Sequence, residues 1–294
     1  MSFLAFCRAH GITISQTPPY GVWKRYPTDD HPKKRNGAVK FMDNYGFVQN
    51  HALMTEVAVW QSDKPVTEEQ LKKQSAELAE MRRRDHVRRN DAVKQMRAYF
   101  AGLKPLRYGH PYLTNKGLSM QGCEGLRVDG DQLVIPMMRA GFLMSLQTIT
   151  PDGEKKYRYN CPIKGASFVM SRRLPIVTCL CEGYATGLAV YQSIPQASVI
   201  VCFDAGNMVN VAKEINLTGM AVVCADNDWK TEQRIGTNTG LLKGKEAAEA
   251  IKCGLAYPHG IEGSDWADAL AELGDLGAMK VRTEIMRRVK PVFM

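Results

Sequence analysis

An alternation over residues 174–294 constrains this chain more than any other feature. PIVTCLCEG is an apolar, β-rich run, and the ATGLAVYQSI that follows suits a helix. SVIVCFDAGN with VNVAKEINL repeats the pair, and MAVVCADND with KGKEAAEAIK repeats it again. Strands apolar throughout, each followed by a helix, imply a parallel sheet covered by helices on both faces.

Carboxylates fall where such a sheet binds ligands. Glu182 directly follows the first strand, and Asp226 and Asp228 directly follow the third. The C-terminal ends of parallel strands share one edge, and ligands bind at that edge. Asp265 and Asp268, in GSDWADAL, follow a further short segment and are placed to join them. Carboxylates that converge repel one another unless a positive group sits among them. All-oxygen ligation with retained waters suits Mg²⁺ or Mn²⁺, and such an ion acts on oxygens bound to phosphorus. The alternative is a set of helix N-caps, a position Asp favours. Capping accounts for Asp265 but poorly for a Glu and an Asp pair on separate strand ends. Asp204, which ends the second strand, is read as a cap in preference to a ligand. Beyond the Asp pair, Gly236, Gly240 and Gly244 with Thr237, Asn238 and Thr239 are expected to form a flexible loop entering a helix. With Lys243 and Lys245 they read as a wall that holds phosphate.

The rest of the chain differs in character. Residues 1–62 carry Pro18, Pro19, Pro27, Pro32, Gly37 and Gly46, which break any long helix and leave short strands and turns. There Trp23, Tyr26, Phe41, Tyr45 and Phe47 alternate with Lys24, Arg25, Lys33, Lys34, Arg35 and Lys40. From Pro65 and Thr67 to Gly102 no Gly or Pro interrupts, which predicts a helix over 65–101. Between Lys72 and Arg97 it holds nine Lys or Arg against four Asp or Glu. RRRDHVRR within it reads either as a solvated spacer or as a contact for nucleic acid. In 103–173, LVIPM and FLMSLQTI are strand-like, and TPDGEK supplies a turn before KYRYN.

Composition narrows the classes. Thirty-nine Lys and Arg against thirty Asp and Glu leave a net charge of +9, which favours a polyanionic partner. No apolar run approaches the roughly 20 residues of a membrane span, and no secretory leader is apparent, so a cytoplasmic protein is expected. The eight cysteines include no CxxC pair, so buried free thiols are expected and zinc is not.

Glu182 in CEGYATGLAVY, the Asp226-Asn227-Asp228 triplet and Asp265 in SDWADAL together resemble the Toprim domain, over about residues 174–275. Toprim domains occur in bacterial-type primases, topoisomerases, some nucleases and recombination-repair proteins. Upstream, LVIPMMRAGFLMSLQTITPDGEKKYRYN is similar to the polymerase core of bacterial, phage and plasmid primases, onto which Arg139, Lys156 and Tyr157 fall. HPYLTNKGL resembles a recurrent segment of plasmid and phage primases and marks Lys116 as a basic contact. Primase front domains commonly hold zinc with cysteines. Here PTDDHPKKRNGAVKF has His31 and no cysteine ligand.

The fold class so implied is α/β. A Toprim domain with a Rossmann-like parallel sheet and a C-terminal helix spans 174–294. A basic α+β primase-core subdomain at 103–173, a charged helical linker at 63–102 and a small β-rich N-terminal domain at 1–62 precede it. The resemblance implies a DNA primase that synthesises RNA primers from ribonucleoside triphosphates on single-stranded DNA. It points to a phage or plasmid setting in a bacterial cell and to a replicative helicase as partner. Glu182, Asp226 and Asp228 would hold Mg²⁺ or Mn²⁺, with Asp265 in support and Lys156 catalytic. Arg139, Lys116, Lys243 and Lys245 would contact nucleotide or primer. Trp23, Lys24, Arg25, Lys33, Lys34 and Arg35 would bind template by stacking and phosphate pairing. The alternatives are a Toprim-type nuclease and a non-catalytic accessory protein that binds single-stranded DNA.

Overall fold

The computed structural model describes residues 1–54, 56–63 and 67–293. The chain divides into two compact units, one up to residue 87 and one from residue 88 onward.

The first unit opens with helix α1 (Phe3–Ala9), which Ser2 caps by accepting a hydrogen bond from the Ala5 amide. Strands β1 (Lys24–Tyr26), β2 (Gly37–Met42), β3 (Tyr45–Asn50) and β4 (Ala58–Gln61) form an antiparallel sheet in that order. Period-two burial sorts its faces. In β3, Gly46, Val48 and Asn50 point inward, and Tyr45, Phe47 and Gln49 point outward. Phe3, Cys7, Ile12, Ile14, Val39, Val48 and Trp60 make the core. Gly46 is needed there, since a Cβ would overlap the Phe3 ring. Sequence reading did not find α1, whose seven residues lie in a stretch broken soon after by prolines.

Helix α2 (Glu68–Gly102) carries the chain from the first unit into the second. Pro65, expected to begin it, lies outside the described residues. Arg83 and Arg84 both pair with Glu80, which offsets part of the positive run. At its C-terminal end Val93 and Met96 pack on Val134 and Leu146 of an antiparallel sheet. That sheet is built in sequence order from β5 (Lys104–Pro105), β6 (Arg127–Asp129), β7 (Gln132–Arg139), β8 (Phe142–Ile149) and β9 (Lys155–Tyr157), with α3 (Pro111–Asn115) between its first two strands.

The remaining elements are β10 (Phe168–Met170), β11 (Val177–Cys181), α4 (Tyr184–Ser193), β12 (Ala197–Val201), α5 (Ala205–Glu214), β13 (Gly219–Cys224), α6 (Trp229–Ile235), α7 (Thr239–Ile251), β14 (Gly254–Ala256), α8 (Trp266–Glu272), α9 (Gly277–Met286) and β15 (Lys290–Val292). Their sheet runs β10-β12-β11-β13-β14. β12, β11, β13 and β14 are parallel, as the apolar runs require, while β10 and β15 join antiparallel. α4, α8 and α9 share one core with a face of this sheet and with Leu133, Ile135, Met137 and Ile149 of the antiparallel sheet. α5 and α7 cover the opposite face. Seven of the eight cysteines are buried, and all eight are free. Among the described residues no helix is long and apolar enough to cross a membrane.

The structure corrects the reading of residues 229–244. A flexible glycine loop was expected there. Instead α6 occupies 229–235, and Gly236 ends it in the left-handed conformation. Gly240 and Gly244 lie inside α7, one turn apart on its buried face. Their role is close approach. A Cβ on Gly240 would overlap the Asp226 carbonyl, and one on Gly244 would stand 2.5 Å from the Ala225 Cβ. The missing side chains let α7 lie against the end of β13. Ala is the better helix former by about 1 kcal/mol at an exposed site. Gly244→Ala is nonetheless expected to destabilise by about 1–3 kcal/mol, the range for overpacking. Urea unfolding measures this, and a stability gain would contradict the packing role.

Candidate active site

Register brings the carboxylates to one edge. Cys181 of β11 pairs with Val201 of β12 and with Cys224 of β13. Glu182, Cys202 and Ala225 therefore leave the sheet at one level, with Asp204 and Asp226 just beyond. The chain goes from β11 to β12 on one side, and β13 adds on the other, so this is a topological switch point.

Each carboxylate is held differently. Glu182 Oε2 is buried without a partner, and the Ala205 amide lies on the side of this carboxylate that favours its charge. Burial above all, then the nearby Asp228 and Asp204, pushes its pKa up to about 7, against the opposing pull of Lys155. Burial and the negative charges of Glu182 and Asp265 hold Asp226 well above the usual carboxylate range. The Thr186 hydroxyl, 3.2 Å from Asp226 Oδ1, works against that shift. Asp228 Oδ2 accepts from the Gly240 amide at 2.9 Å. Between the two Asp residues, Asn227 accepts at Oδ1 from Asn238 Nδ2 at 2.9 Å. Asn238 Oδ1 in turn accepts from the amides of Asp228 and Leu241. The Asp-Asn-Asp segment is thus fixed from both sides. Among the described residues, no three His, Cys, Asp or Glu side chains stand close enough together to hold a metal ion.

Asp265 caps α8 in a reciprocal box with Asp268. It still lies near enough to act on Asp226. Lys116 joins this end of the cluster, with Nζ 3.4 Å from Asp268 and 3.9 Å from Asp265. Asp204 caps α5 through Oδ1, which accepts from the Asn207 amide at 2.7 Å.

Other expected residues stand elsewhere. Lys156 is exposed and pairs with Glu154 at 3.0 Å. Lys155, on the opposite face of β9, is the lysine that acts on Glu182. A Cβ on Gly183 would stand 3.7 Å from Lys155 Nζ. Arg139 makes two 2.9 Å hydrogen bonds to Glu214 at the far end of α5, about 15 Å along that helix from Asp204. Lys243 pairs with Glu246, and Lys245 is exposed on α7. Tyr184, next to the Glu182-Gly183 turn, is buried with its hydroxyl donating to Cys123 Sγ at 3.4 Å. In the first unit Lys24 and Arg25 lie exposed on β1, and Lys33, Lys34 and Arg35 lie exposed in the β1–β2 connection. Trp23 is exposed too, its ring 6.1 Å from that of Phe47. Sequence reading missed Thr186 and Lys155, and it placed Asn238 in a phosphate-holding loop, where the structure shows it pinning the Asp-Asn-Asp segment. Only Lys155 left a signal there, because it shares a strand face with Tyr157.

Residues 177–275 match the Toprim domain family. This segment is a Toprim domain. Glu182, Asp226, Asp228 and Asp265 all fall within it. Over 226 residues the chain is 25% identical to DNA primase TraC of Escherichia coli, a stretch covering 72% of this chain and 21% of that protein. The chain thus spans about a fifth of the length of this relative. The primase fragment of the bacteriophage T7 primase-helicase protein is 13% identical, covering 61% of this chain and 78% of that one with a TM-score of 0.41. The catalytic domain of DnaG primase bound to single-stranded DNA is also 13% identical, covering 70% and 81% with a TM-score of 0.43.

The Toprim edge has a pH signature. Unfolded, Glu182 ionises near its ordinary 4.5, and folded it ionises near 7. Between these values the folded protein keeps a proton that the unfolded chain releases, so Glu182 costs stability as pH rises through that window. Without divalent cations, Glu182→Gln should be more stable than the parent at pH 8 by on the order of 2 kcal/mol. The difference should shrink as pH falls through that window and vanish by about pH 4. Urea unfolding at the two pH values tests this, and equal stability at pH 8 would contradict it.

Proposed function

We propose that the chain is a DNA primase, making short RNA primers on single-stranded DNA from ribonucleoside triphosphates. The observation that carries the reading is the pairing of Glu182 and Asp226 on neighbouring strand ends. Both are half-buried, they repel each other, and Glu182 has a buried oxygen with no partner. The Toprim match and the sequence likeness to a primase support it.

The donors fit a hard divalent cation. They are all carboxylate oxygens, and their mutual repulsion is what such an ion relieves. Glu182 and Asp226 would hold it, with Asp228 behind them. Two carboxylates suffice for Mg²⁺, an ion that keeps waters and takes substrate phosphates alongside one or two carboxylates. When bound, Mg²⁺ or Mn²⁺ supplies charge neutralisation on the triphosphate and activates the primer 3′-hydroxyl. In the transfer, that hydroxyl oxygen would bond to the α-phosphorus as the bond between the α- and β-phosphates breaks; pyrophosphate leaves and the hydroxyl proton passes to water. The protein contributes position and charge. Thr186 and the Gly240 amide orient Asp226 and Asp228, and Lys155 adds a cation on the Glu182 side. Lys116, already paired with Asp265 and Asp268, supports that side of the site.

Template binding falls to the first unit in this reading. Trp23 with Lys24, Arg25, Lys33, Lys34 and Arg35 offers an exposed ring amid exposed cations. A replicative helicase as partner and a phage or plasmid setting belong to the same proposal. In bacteriophage T7 the primase is part of a primase-helicase protein.

The protein incubated with single-stranded DNA, labelled ATP, the other ribonucleotides and Mg²⁺ should yield new labelled oligonucleotides. Asp226→Ala should cut the yield at least about 100-fold with folding intact, since even indirect partners of metal sites cost 10–100-fold. Full synthesis by the folded variant would remove the mechanism. Shortened template would instead indicate a nuclease, and salt-dependent binding without product an accessory protein. Trp23→Ala should weaken single-stranded DNA binding about tenfold, the worth of one stacked base. Neutralising Lys33, Lys34 and Arg35 together should lower the slope of log affinity against log salt by about 2. Fluorescence anisotropy reads both effects, and unchanged values would place the template elsewhere.

A further inference from the structure

The corner between β12 and α5 holds an unfavourable backbone conformation beside the carboxylates. Phe203 has φ +75°, in the left-handed region, and is 5% exposed. A bulky residue keeps that conformation only where its surroundings impose it. What imposes it here comes from the neighbouring antiparallel sheet. The Tyr157 hydroxyl donates to the Phe203 carbonyl oxygen at 3.0 Å, with Asp204 Oδ2 at 3.5 Å. Gln147 is the cross-strand partner of Tyr157, and its side chain is buried. On the far side of the corner, Asn207 is fully used. It donates to the carbonyls of Ala166 and Cys202 and accepts from the Gly165 amide.

The next two residues face Glu182. The Cys202 amide donates to the Cys181 carbonyl at 2.9 Å, so Glu182 leaves its strand alongside this corner, where the Ala205 amide and the Asp204 carboxylate act on its charge. Asp204 Oδ1 is committed to the helix cap, which leaves Oδ2 on the side of Tyr157. Rotating the Phe203 peptide to an ordinary conformation would turn both groups away from Glu182.

We propose that Tyr157 is a positioning residue for the carboxylate edge: by holding the left-handed Phe203 peptide, its hydroxyl sets the Ala205 amide and the Asp204 carboxylate against Glu182. It acts through Glu182 and touches no reacting atom. The inference rests on the cation-site reading above, and the test separates the two. Mn²⁺ binding is followed by electron paramagnetic resonance in the full chain and in Tyr157→Phe, Glu182→Gln, Asp226→Ala and the Tyr157→Phe/Glu182→Gln double variant, with thermal melting alongside. Tyr157→Phe keeps the ring and removes one hydrogen bond, so the Mn²⁺ dissociation constant should rise about fivefold. In the Glu182→Gln background the same change should add nothing, because the group it positions is gone. A lower melting temperature with unchanged Mn²⁺ binding in Tyr157→Phe would make the tyrosine purely structural and overturn the proposal. So would an equal loss in both backgrounds. If Glu182→Gln and Asp226→Ala bind Mn²⁺ like the parent, the cation-site reading itself fails. If they lose Mn²⁺ and Tyr157→Phe does not, only the role of Tyr157 fails.

Discussion

Negative charge buried at the end of a parallel sheet is the constraint on which the rest of the second unit depends. Glu182 and Asp226 are carried to adjoining strand ends by β11 and β13, whose C-terminal halves are buried. The hydrophobic effect fixes those strands, and the strands fix the carboxylates, whatever the electrostatic cost. Burial and proximity then raise both pKa values.

The scaffold around that edge is built to prevent the carboxylates from swinging away from one another. Asn238 pins the Asp-Asn-Asp segment, and Thr186 and Gly240 each occupy one carboxylate oxygen. Two glycines in α7 remove the side chains that would push the helix off the strand end. The antiparallel sheet closes the other side, sharing a core with α4, α8 and α9 and sending Lys155 and Tyr157 from β9 toward Glu182 and the Phe203 corner. Such preorganisation is what electrostatic catalysis of phosphoryl chemistry needs, since little covalent work falls to the protein.

Much of this was legible in the sequence, and the parts that were not share a physical reason. The parallel strands were readable because apolar runs such as VTCLC admit few alternatives, and the residues after them follow directly. Gly240 and Gly244 were misread because a glycine that frees a loop and a glycine that permits close packing look alike in one dimension. Only the Ala225 contact decides between them. Lys155 was passed over for Lys156 because facing is set by register, and β9 is three residues long. Arg139 could not be placed without Glu214, 75 residues away in the chain. Long-range partners of this kind leave no local trace.

The direct test is thermal melting at pH 8 with and without Mg²⁺, on the parent and on Glu182→Gln and Asp226→Ala. Relief of buried repulsion predicts that Mg²⁺ raises the melting temperature of the parent by several degrees and leaves both variants nearly unmoved. An equal shift in all three proteins, or none in the parent, would contradict the claim that this edge grips a divalent cation.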